Sequence, residues 1–121
     1  MTAEIISVGT ELLLGNILNT NAQYLSRELA ELGITVRRQS TIGDNHGRLA
    51  EFVNEAKQRC DLLVFTGGLG PTYDDMTKET VAGVFGLALE YHPEVMEEIQ
   101  QYFDRVFHRP MPACNRQQAM L

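Results

Sequence analysis

The chain has 121 residues, of which 44% are hydrophobic, and its formal net charge is −6. This length suits one domain whose core needs neither disulfides nor a structural metal. The negative charge argues against nucleic acid as a partner, because that affinity depends on Lys and Arg side chains that neutralise phosphates. The sequence shows no signal peptide and no run of about 20 apolar residues that could cross a membrane, so we expect a cytoplasmic protein.

The first two thirds of the chain predict strands and helices in alternation. The predicted elements are a strand at 5–8, a helix at 21–32, a strand at 34–42, a helix at 46–59, a strand at 62–65 and a helix at 76–86. This order calls for a parallel sheet with right-handed crossovers. The strand at 34–42 is only half apolar and is expected near a sheet edge. The continuous apolar run at 62–65 predicts a strand that is covered on both faces.

The last third predicts a long helix between short connections. Residues 87–91 form a short extension, and Pro93 suits the first position of a helix that runs to about Phe107. The buried stripe of that helix is expected to contain Met96, Ile99, Phe103, Val106 and Phe107. Residues 115–121 are good helix formers and end without a C-terminal glycine or proline. We therefore expect a single domain at 1–121 that is truncated at its carboxyl end.

The most informative stretch is LLVFTGGLGPTYDD, from Leu62 to Asp75. It joins a strand to a glycine-rich turn, which lets a ligand approach the main chain. Unpaired N–H groups and the helix dipole attract anions at a turn between a strand and a helix. The glycine spacing fits neither a P-loop nor the dinucleotide-binding fingerprint. Thr72 and Asp75 have the T-x-x-D spacing of a capping box, which predicts a helix that begins between Asp75 and Lys78.

Two adjacent carboxylates, Asp74 and Asp75, follow the glycines. Like charges this close would oppose a bound phosphate unless a cation lies between them or one of them is protonated. A hard divalent metal, which binds carboxylate and phosphate oxygens, resolves this conflict most simply. The structural alternative is that Asp75 caps the helix while Asp74 is solvated.

The loops at the carboxyl ends of parallel strands lie on one edge of a sheet, so their polar residues are expected to converge. We predict catalytic roles for Asp44, Asp74 and Asp75, and metal binding by Glu11, Asp44 and Asp75. Phosphate-binding residues are expected at Gly9, Thr10, Asn21, Thr66, Gly67, Gly68, Gly70, Pro71 and Thr72. The alternative is that each acid caps its own turn, which is the better interpretation of Asp44 taken alone.

These residues favour metal-assisted attack of water on a phosphoanhydride over covalent catalysis. The serines lie inside predicted elements or on a helix face, so no Ser–His–Asp arrangement is indicated. His46 stands at a helix start, where a capping or surface role is commoner than a role as base or ligand. The expected cofactor is a divalent metal cation of unidentified type, with a monovalent cation as an additional candidate.

Four segments together resemble the amino-terminal domain of the CinA family of competence/damage-inducible proteins. They are SVGTELLLGNILNTNAQYL at 7–25, TIGDN at 41–45, TGGLGPTYDDMT at 66–77 and NRQQAML at 115–121. That domain is similar in fold to the molybdopterin-binding proteins MogA and MoaB, which implies an α/β three-layer sandwich with a mostly parallel sheet. The resemblance places the glycine signature of those proteins on Gly67, Gly68 and Gly70, their signature aspartate on Asp75, and a second functional aspartate on Asp44.

The resemblance implies activity at a phosphoanhydride that is joined to adenosine. CinA-type domains are known for metal-dependent cleavage of ADP-ribose to AMP and ribose 5-phosphate, whereas MogA-type relatives adenylylate molybdopterin. A non-enzymatic alternative is a ligand-binding or oligomerisation module attached to a nicotinamide mononucleotide amidase domain. The implied partners are a nucleotide substrate, either ADP-ribose or a molybdopterin-like molecule, and further copies of the chain in a dimer or trimer. Nucleic acid and membranes are not expected partners.

Three residues depart from the family patterns. Leu69 replaces the Thr of the molybdopterin signature, which removes a hydroxyl that could bind a ligand. Asp74 stands where MogA-like proteins often carry a basic residue, and its negative charge favours a metal. Asn19 stands where the CinA pattern usually has Asp, which weakens the case for a metal ligand there, although Glu11 remains. The first two departures favour ADP-ribose hydrolysis. In this family, an N-P-x-G-T and a P-G-V-P segment beyond the position of Leu121 normally line the site.

Overall fold

The computed structural model describes residues 1–121 and contains a three-stranded parallel sheet. The strands are β1 (Thr2–Val8), β2 (Thr35–Ile42) and β3 (Leu62–Thr66), in the order β2-β1-β3. The α-helices are α1 (Thr10–Leu13), α2 (Thr20–Glu31), α3 (His46–Ala56), α4 (Thr77–Phe85) and α5 (Pro93–Tyr102). A π-helical turn at Phe103–Phe107 and a 3-10 helix at Ala113–Ala119 follow α5. None of these helices is long and apolar enough to span a bilayer.

Helices cover the sheet on both faces, so the predicted three-layer α/β sandwich is confirmed. On the side of α3 and α4, the buried core is formed by Ile6, Val8, Leu49, Val53 and Ala56. On the side of α2, it is formed by Ala3, Ile5, Ala22 and Leu29. Successive residues of β1 point into different layers, as the two-residue period of a strand requires. β1 is therefore the central, fully covered strand, and its carboxyl end lies in the middle of the sheet edge.

The two outer strands are less buried than β1. β2 lies at one edge of the sheet, as its half-apolar pattern predicts. β3 lies at the other edge, and all five of its residues are only half-buried. The predicted cover on both faces is present, since Leu63 and Phe65 pack against the core beside α3 and α4, and Leu62 and Val64 pack against the core beside α2. The strand is only half-buried because it pairs with β1 alone and its outer edge has no partner strand in this chain. An apolar run indicates contact with neighbours, but it does not indicate the position of a strand within its sheet.

The start of α4 departs from the predicted capping pattern. α4 begins at Thr77, within the predicted window, but its N-cap is Met76 and no side chain caps it. Thr72 and Asp75 instead bond to each other in the turn before the helix. The loop after β1 also differs, since it contains the short helix α1, which the sequence pattern does not indicate.

The last third of the chain packs differently from its prediction. Helical structure spans 93–107 as expected, but Val106 is 45% and Phe107 48% exposed, so the predicted buried stripe is incomplete. The reason is that α5 packs mainly against the π-helical turn and the 3-10 helix rather than against the sheet. The good helix formers at 115–121 lie mostly in the 3-10 helix, which is followed by an antiparallel bridge between Met120 and Tyr91.

Gly83 offers a simple test of the helical assignment of α4. A Cβ added at this helical position would meet no other atom within 4 Å. Gly in a helix interior is less favourable than Ala by about 0.5–1 kcal/mol. We expect Gly83→Ala to raise the free energy of unfolding by that amount in urea denaturation. A lower free energy of unfolding would show that the position does not tolerate a side chain and would contradict this packing.

Candidate functional site

The loops after β1 and β2 are tied together at the carboxyl edge of the sheet. The backbone N–H of Thr10 donates to Asp44 Oδ2 at 3.3 Å, and the backbone N–H of Asp44 donates to Thr10 Oγ1 at 3.1 Å. Beside this pair, the Gly9 N–H donates to the Ile42 carbonyl oxygen at 2.9 Å. The Asp44 side chain is exposed. The structure thus places one predicted acid and one predicted phosphate-binding residue in direct contact.

The loop after β1 also meets the end of β3. The Asn21 side-chain amide donates to Thr66 Oγ1 at 3.0 Å. The Glu11 carboxylate folds back over Gly9, where an added Cβ would lie 2.6 Å from Glu11 Oε1. Glu11, Asn21, Thr66 and Gly67 help to line a hollow of about 150 Å³. Pockets that enclose a small molecule start at about 300 Å³, so this hollow is too small to enclose such a ligand. A larger hollow of about 670 Å³ beside α5 contains none of the predicted site residues.

Gly67 and Gly68 form the tight first half of the turn after β3. Both have left-handed backbone angles, with φ of 86° and 66°. An added Cβ would lie 2.1 Å from the Val8 carbonyl oxygen at Gly67, and 2.2 Å from Thr77 Oγ1 at Gly68. Thr77 is 1% exposed, and it donates its hydroxyl to the Gly67 carbonyl at 2.8 Å and its N–H to the Gly68 carbonyl at 3.1 Å. The turn is therefore held between β1 and the first residue of α4.

Gly70, Thr72 and Asp75 form the second half of the turn. Asp75 Oδ2 accepts the Thr72 backbone N–H at 3.0 Å and the Thr72 hydroxyl at 2.6 Å. A Cβ added at Gly70 would lie 2.5 Å from the same oxygen, so the glycine leaves room for the carboxylate. The bond from the Thr72 hydroxyl is the main cause that holds the pKa of Asp75 below its ordinary value of 3.8. Asp75 is therefore ionised at neutral pH.

The structure does not gather the predicted metal ligands into a preformed cage. No three His, Cys, Asp or Glu side chains lie close enough together to hold one ion. Glu11, Asp44 and Asp75 belong to three separate loops, and Asp74 is exposed to solvent. Carboxylate oxygens still suit a hard cation that takes one or two protein ligands and completes its shell with phosphate oxygens and water. The residues fit a cation bound together with a diphosphate, and they do not fit a site built from protein atoms alone.

Three residues, Asn19, Thr77 and Thr80, have structural roles at this edge that the sequence interpretation does not assign. Asn19 caps α2 and donates its side-chain amide to Ser7 Oγ in β1. Thr77 holds the glycine turn, and Thr80, one helical turn further along α4, contacts His46. Asn19 carries a readable signal, since Asn before a helix is a preferred N-cap. Thr77 and Thr80 share one helix face by their spacing, but no local pattern shows that this face is buried.

Replacement of Thr72 by Val should raise the pKa of Asp75. The variant loses the hydroxyl donor that lowers this pKa most and keeps the backbone donor. A carboxylate with a lowered folded-state pKa stabilises the fold above its unfolded pKa, and this stabilisation is lost as the pH falls through the folded pKa. The wild type should therefore be the more stable protein at neutral pH, and the difference should shrink below pH 3.8.

Carboxyl-detected NMR titration of Asp75 measures this pKa directly. Thr72→Ser keeps the hydroxyl and is the matched control, which should titrate as the wild type does. If Thr72→Val also titrates as the wild type does, the hydroxyl is not the cause of the lowered pKa.

The chain is similar in sequence to a known family of proteins. Residues 4–120 match the family model described as "Probable molybdopterin binding domain". A protein of Caldicellulosiruptor bescii named as a competence-damage inducible protein is 55% identical over 119 residues, which cover 98% of this chain and 29% of that protein. The chain thus spans less than a third of the length of this curated relative.

Solved structures of a CinA protein and of a MoaB protein resemble this chain. The protein CinA of Thermoplasma acidophilum, described as having unknown function, superposes with a TM-score of 0.87 at 30% identity, over 100% of this chain and 70% of that chain. MoaB of Thermus thermophilus, described as a molybdopterin biosynthesis enzyme, superposes with a TM-score of 0.64 at 20% identity, over 93% of this chain and 68% of that chain. The second likeness shows a shared fold alone. The sequence match and the first superposition together show that the chain belongs to the CinA branch of the molybdopterin-binding domain family.

Proposed function

We propose that the domain hydrolyses the phosphoanhydride of ADP-ribose to AMP and ribose 5-phosphate with the help of a divalent cation. The observation that carries this proposal is the ionised Asp75 carboxylate, which Thr72 holds beside Gly70 with two hydrogen bonds. A second carboxylate, Asp44, stands at the end of another strand on the same sheet edge. One acid beside an anion-attracting glycine turn and a second acid on the same sheet edge suit a ligand that brings a diphosphate and a cation together.

Each part of the sheet edge has a role in this proposal. Residues 67–69 of the turn would offer backbone N–H groups to the phosphates, since Pro71 has no N–H and the Thr72 N–H is bonded to Asp75. The Thr10 hydroxyl, which accepts the Asp44 N–H, keeps its own proton to donate. One or two of the carboxylates of Asp75, Asp44 and Glu11 would hold the cation, which when bound would neutralise phosphate charge and lower the pKa of a bound water. The lowered pKa of Asp75 suits a cation ligand better than a general base, because an effective base has a pKa near the working pH.

Binding or adenylylation of molybdopterin is the second candidate. The family match over 4–120 and the fold shared with MoaB favour it. Two residues oppose it, since Leu69 is 53% exposed and offers no hydroxyl to a ligand, and Asp74 adds negative charge at the turn. A third candidate is a ligand-binding or oligomerisation module, in a dimer or trimer, that regulates an attached amidase domain. The much greater length of the curated relative is the observation behind it.

Incubation with ADP-ribose and a panel of divalent metals tests the proposal. We expect AMP and ribose 5-phosphate to form in equal amounts when a metal is present and to stop forming when a chelator is added. Adenylylation of molybdopterin without hydrolysis of ADP-ribose would support the second candidate. Binding of ADP-ribose without any product would contradict the hydrolase and support the ligand-binding module.

A further inference from the structure

His46 makes a hydrogen bond that links two of the loops at the sheet edge. It begins α3, two residues after Asp44, and its Nδ1 lies 2.7 Å from Thr80 Oγ1 in α4. Thr80 is 1% exposed, so its hydroxyl has no access to water and depends on a protein partner. The His46 side chain therefore joins the loop after β2 to the helix that follows the glycine turn.

The same face of α4 holds the glycine turn. Thr77 lies three residues before Thr80, is equally buried, and bonds to the carbonyl oxygens of Gly67 and Gly68. A Cβ added at Gly68 would lie 2.2 Å from Thr77 Oγ1, so the turn and the helix are in close contact. Because a helix moves as a rigid unit, a displacement of α4 relative to α3 would carry the turn with it.

We propose that His46 is a positioning residue. Val81 and Val84 hold α4 against the core, and the bond from His46 to Thr80 sets the end of α4 that carries Thr77 and the phosphate-binding turn relative to Asp44. In this role His46 sets the separation between the glycine turn and Asp44. The inference rests on the proposed function for the identity of the ligand that binds between them. In this role His46 acts through Thr80 and transfers no proton to or from the substrate.

Two substitutions at position 46 distinguish a positioning role from a purely structural role and from a role in proton transfer. Asn places its amide group as far from the backbone as Nδ1 of His and can keep the bond to Thr80, whereas Gln places it one bond further out, as far as Nε2. Loss of the bond in His46→Gln or Thr80→Val should raise the KM for ADP-ribose about two- to tenfold, the effect of one hydrogen bond, with kcat within about twofold of the wild type. His46→Asn should restore the wild-type KM. Arg48→Ala changes an exposed residue of the same helix turn and is the control.

The amide proton of Thr77, which is bonded to the Gly68 carbonyl, reports on the turn in the absence of any ligand. Its hydrogen exchange should be about two- to tenfold faster in His46→Gln and Thr80→Val, and unchanged in His46→Asn and Arg48→Ala. This readout remains available if the wild type does not hydrolyse ADP-ribose, so failure of the proposed function and failure of this inference are distinguishable.

Two results would overturn the inference. Unchanged exchange at Thr77, together with a lower melting temperature of Thr80→Val, would show that His46 only satisfies a buried hydroxyl. A large fall in kcat for His46→Asn would show instead that the imidazole itself takes part in proton transfer.

Discussion

Asp75→Asn is expected to lower metal-dependent turnover of ADP-ribose by about 10²- to 10³-fold while the protein stays folded. Asn has the shape of Asp and its side-chain oxygen can accept both bonds from Thr72, but it carries no negative charge. The variant therefore removes the charge that the proposed cation needs and keeps the local turn. The free energy of unfolding should change by less than about 1 kcal/mol, because the hydrogen bonds of the turn persist.

Turnover is measured at saturating ADP-ribose and metal, with circular dichroism as the check on folding. Asp104→Asn is the matched control, since Asp104 is exposed in the π-helical turn. It should retain wild-type turnover. Full activity in Asp75→Asn would remove Asp75 from the mechanism.

Gly67→Ala is expected to lower the free energy of unfolding by about 2–5 kcal/mol. The left-handed angle at this position, φ of 86°, costs a residue with a Cβ roughly 1–2 kcal/mol. The added Cβ would also lie 2.1 Å from the carbonyl oxygen of Val8 in the central strand. A backbone atom must then move, and such overpacking costs about 1–3 kcal/mol more. Urea denaturation measures the loss.

Gly70→Ala is the matched comparison in the same turn. The φ of Gly70 is not left-handed, and the three atoms nearest to its added Cβ would all belong to the Asp75 carboxylate, which can shift more readily than a backbone atom. We expect a loss of stability below about 1 kcal/mol, with weaker ligand binding because Asp75 is displaced. Equal destabilisation of the two variants would contradict this difference between a first half of the turn that packs against β1 and a second half that is shaped around Asp75.

The strand and helix pattern was enough to predict the layers of the fold, but not the extent of its central strand. The apolar run predicts a strand at 5–8, whereas β1 begins at Thr2. The difference arises at Glu4, a charged residue that is only 2% exposed. Its carboxylate accepts the Arg59 Nε–H at 2.7 Å, and Arg59 lies 55 residues away in the sequence. A local pattern cannot show such a partner, so Glu4 resembles a surface residue until the fold is known.

Parallel topology explains why the loops of the site could be predicted to share one edge, and the contact between Thr10 and Asp44 agrees with it. The spacing of Thr72 and Asp75 was more ambiguous, because the same side-chain bonds can start a helix or close an isolated turn. The helix start is set instead by a tertiary contact, in which Thr77 bonds to the glycine turn. Sequence spacing alone could not choose between these outcomes.

Calorimetric titration of a non-hydrolysable ADP-ribose analogue, with a methylene group in place of the bridging oxygen of the diphosphate, and of a divalent cation tests whether the acids bind a cation together with a diphosphate. Each is titrated in the presence and absence of the other, and the analogue stands for ADP-ribose because it is not consumed. Asp44 and Asp75 should repel a bare diphosphate, so ADP-ribose should bind weakly until a cation neutralises part of this charge. Because such coupling is reciprocal, the cation should tighten ADP-ribose binding by the same factor by which ADP-ribose tightens cation binding. Equally strong binding without the cation would show that the acids only shape their turns, and would contradict their proposed role in cation binding.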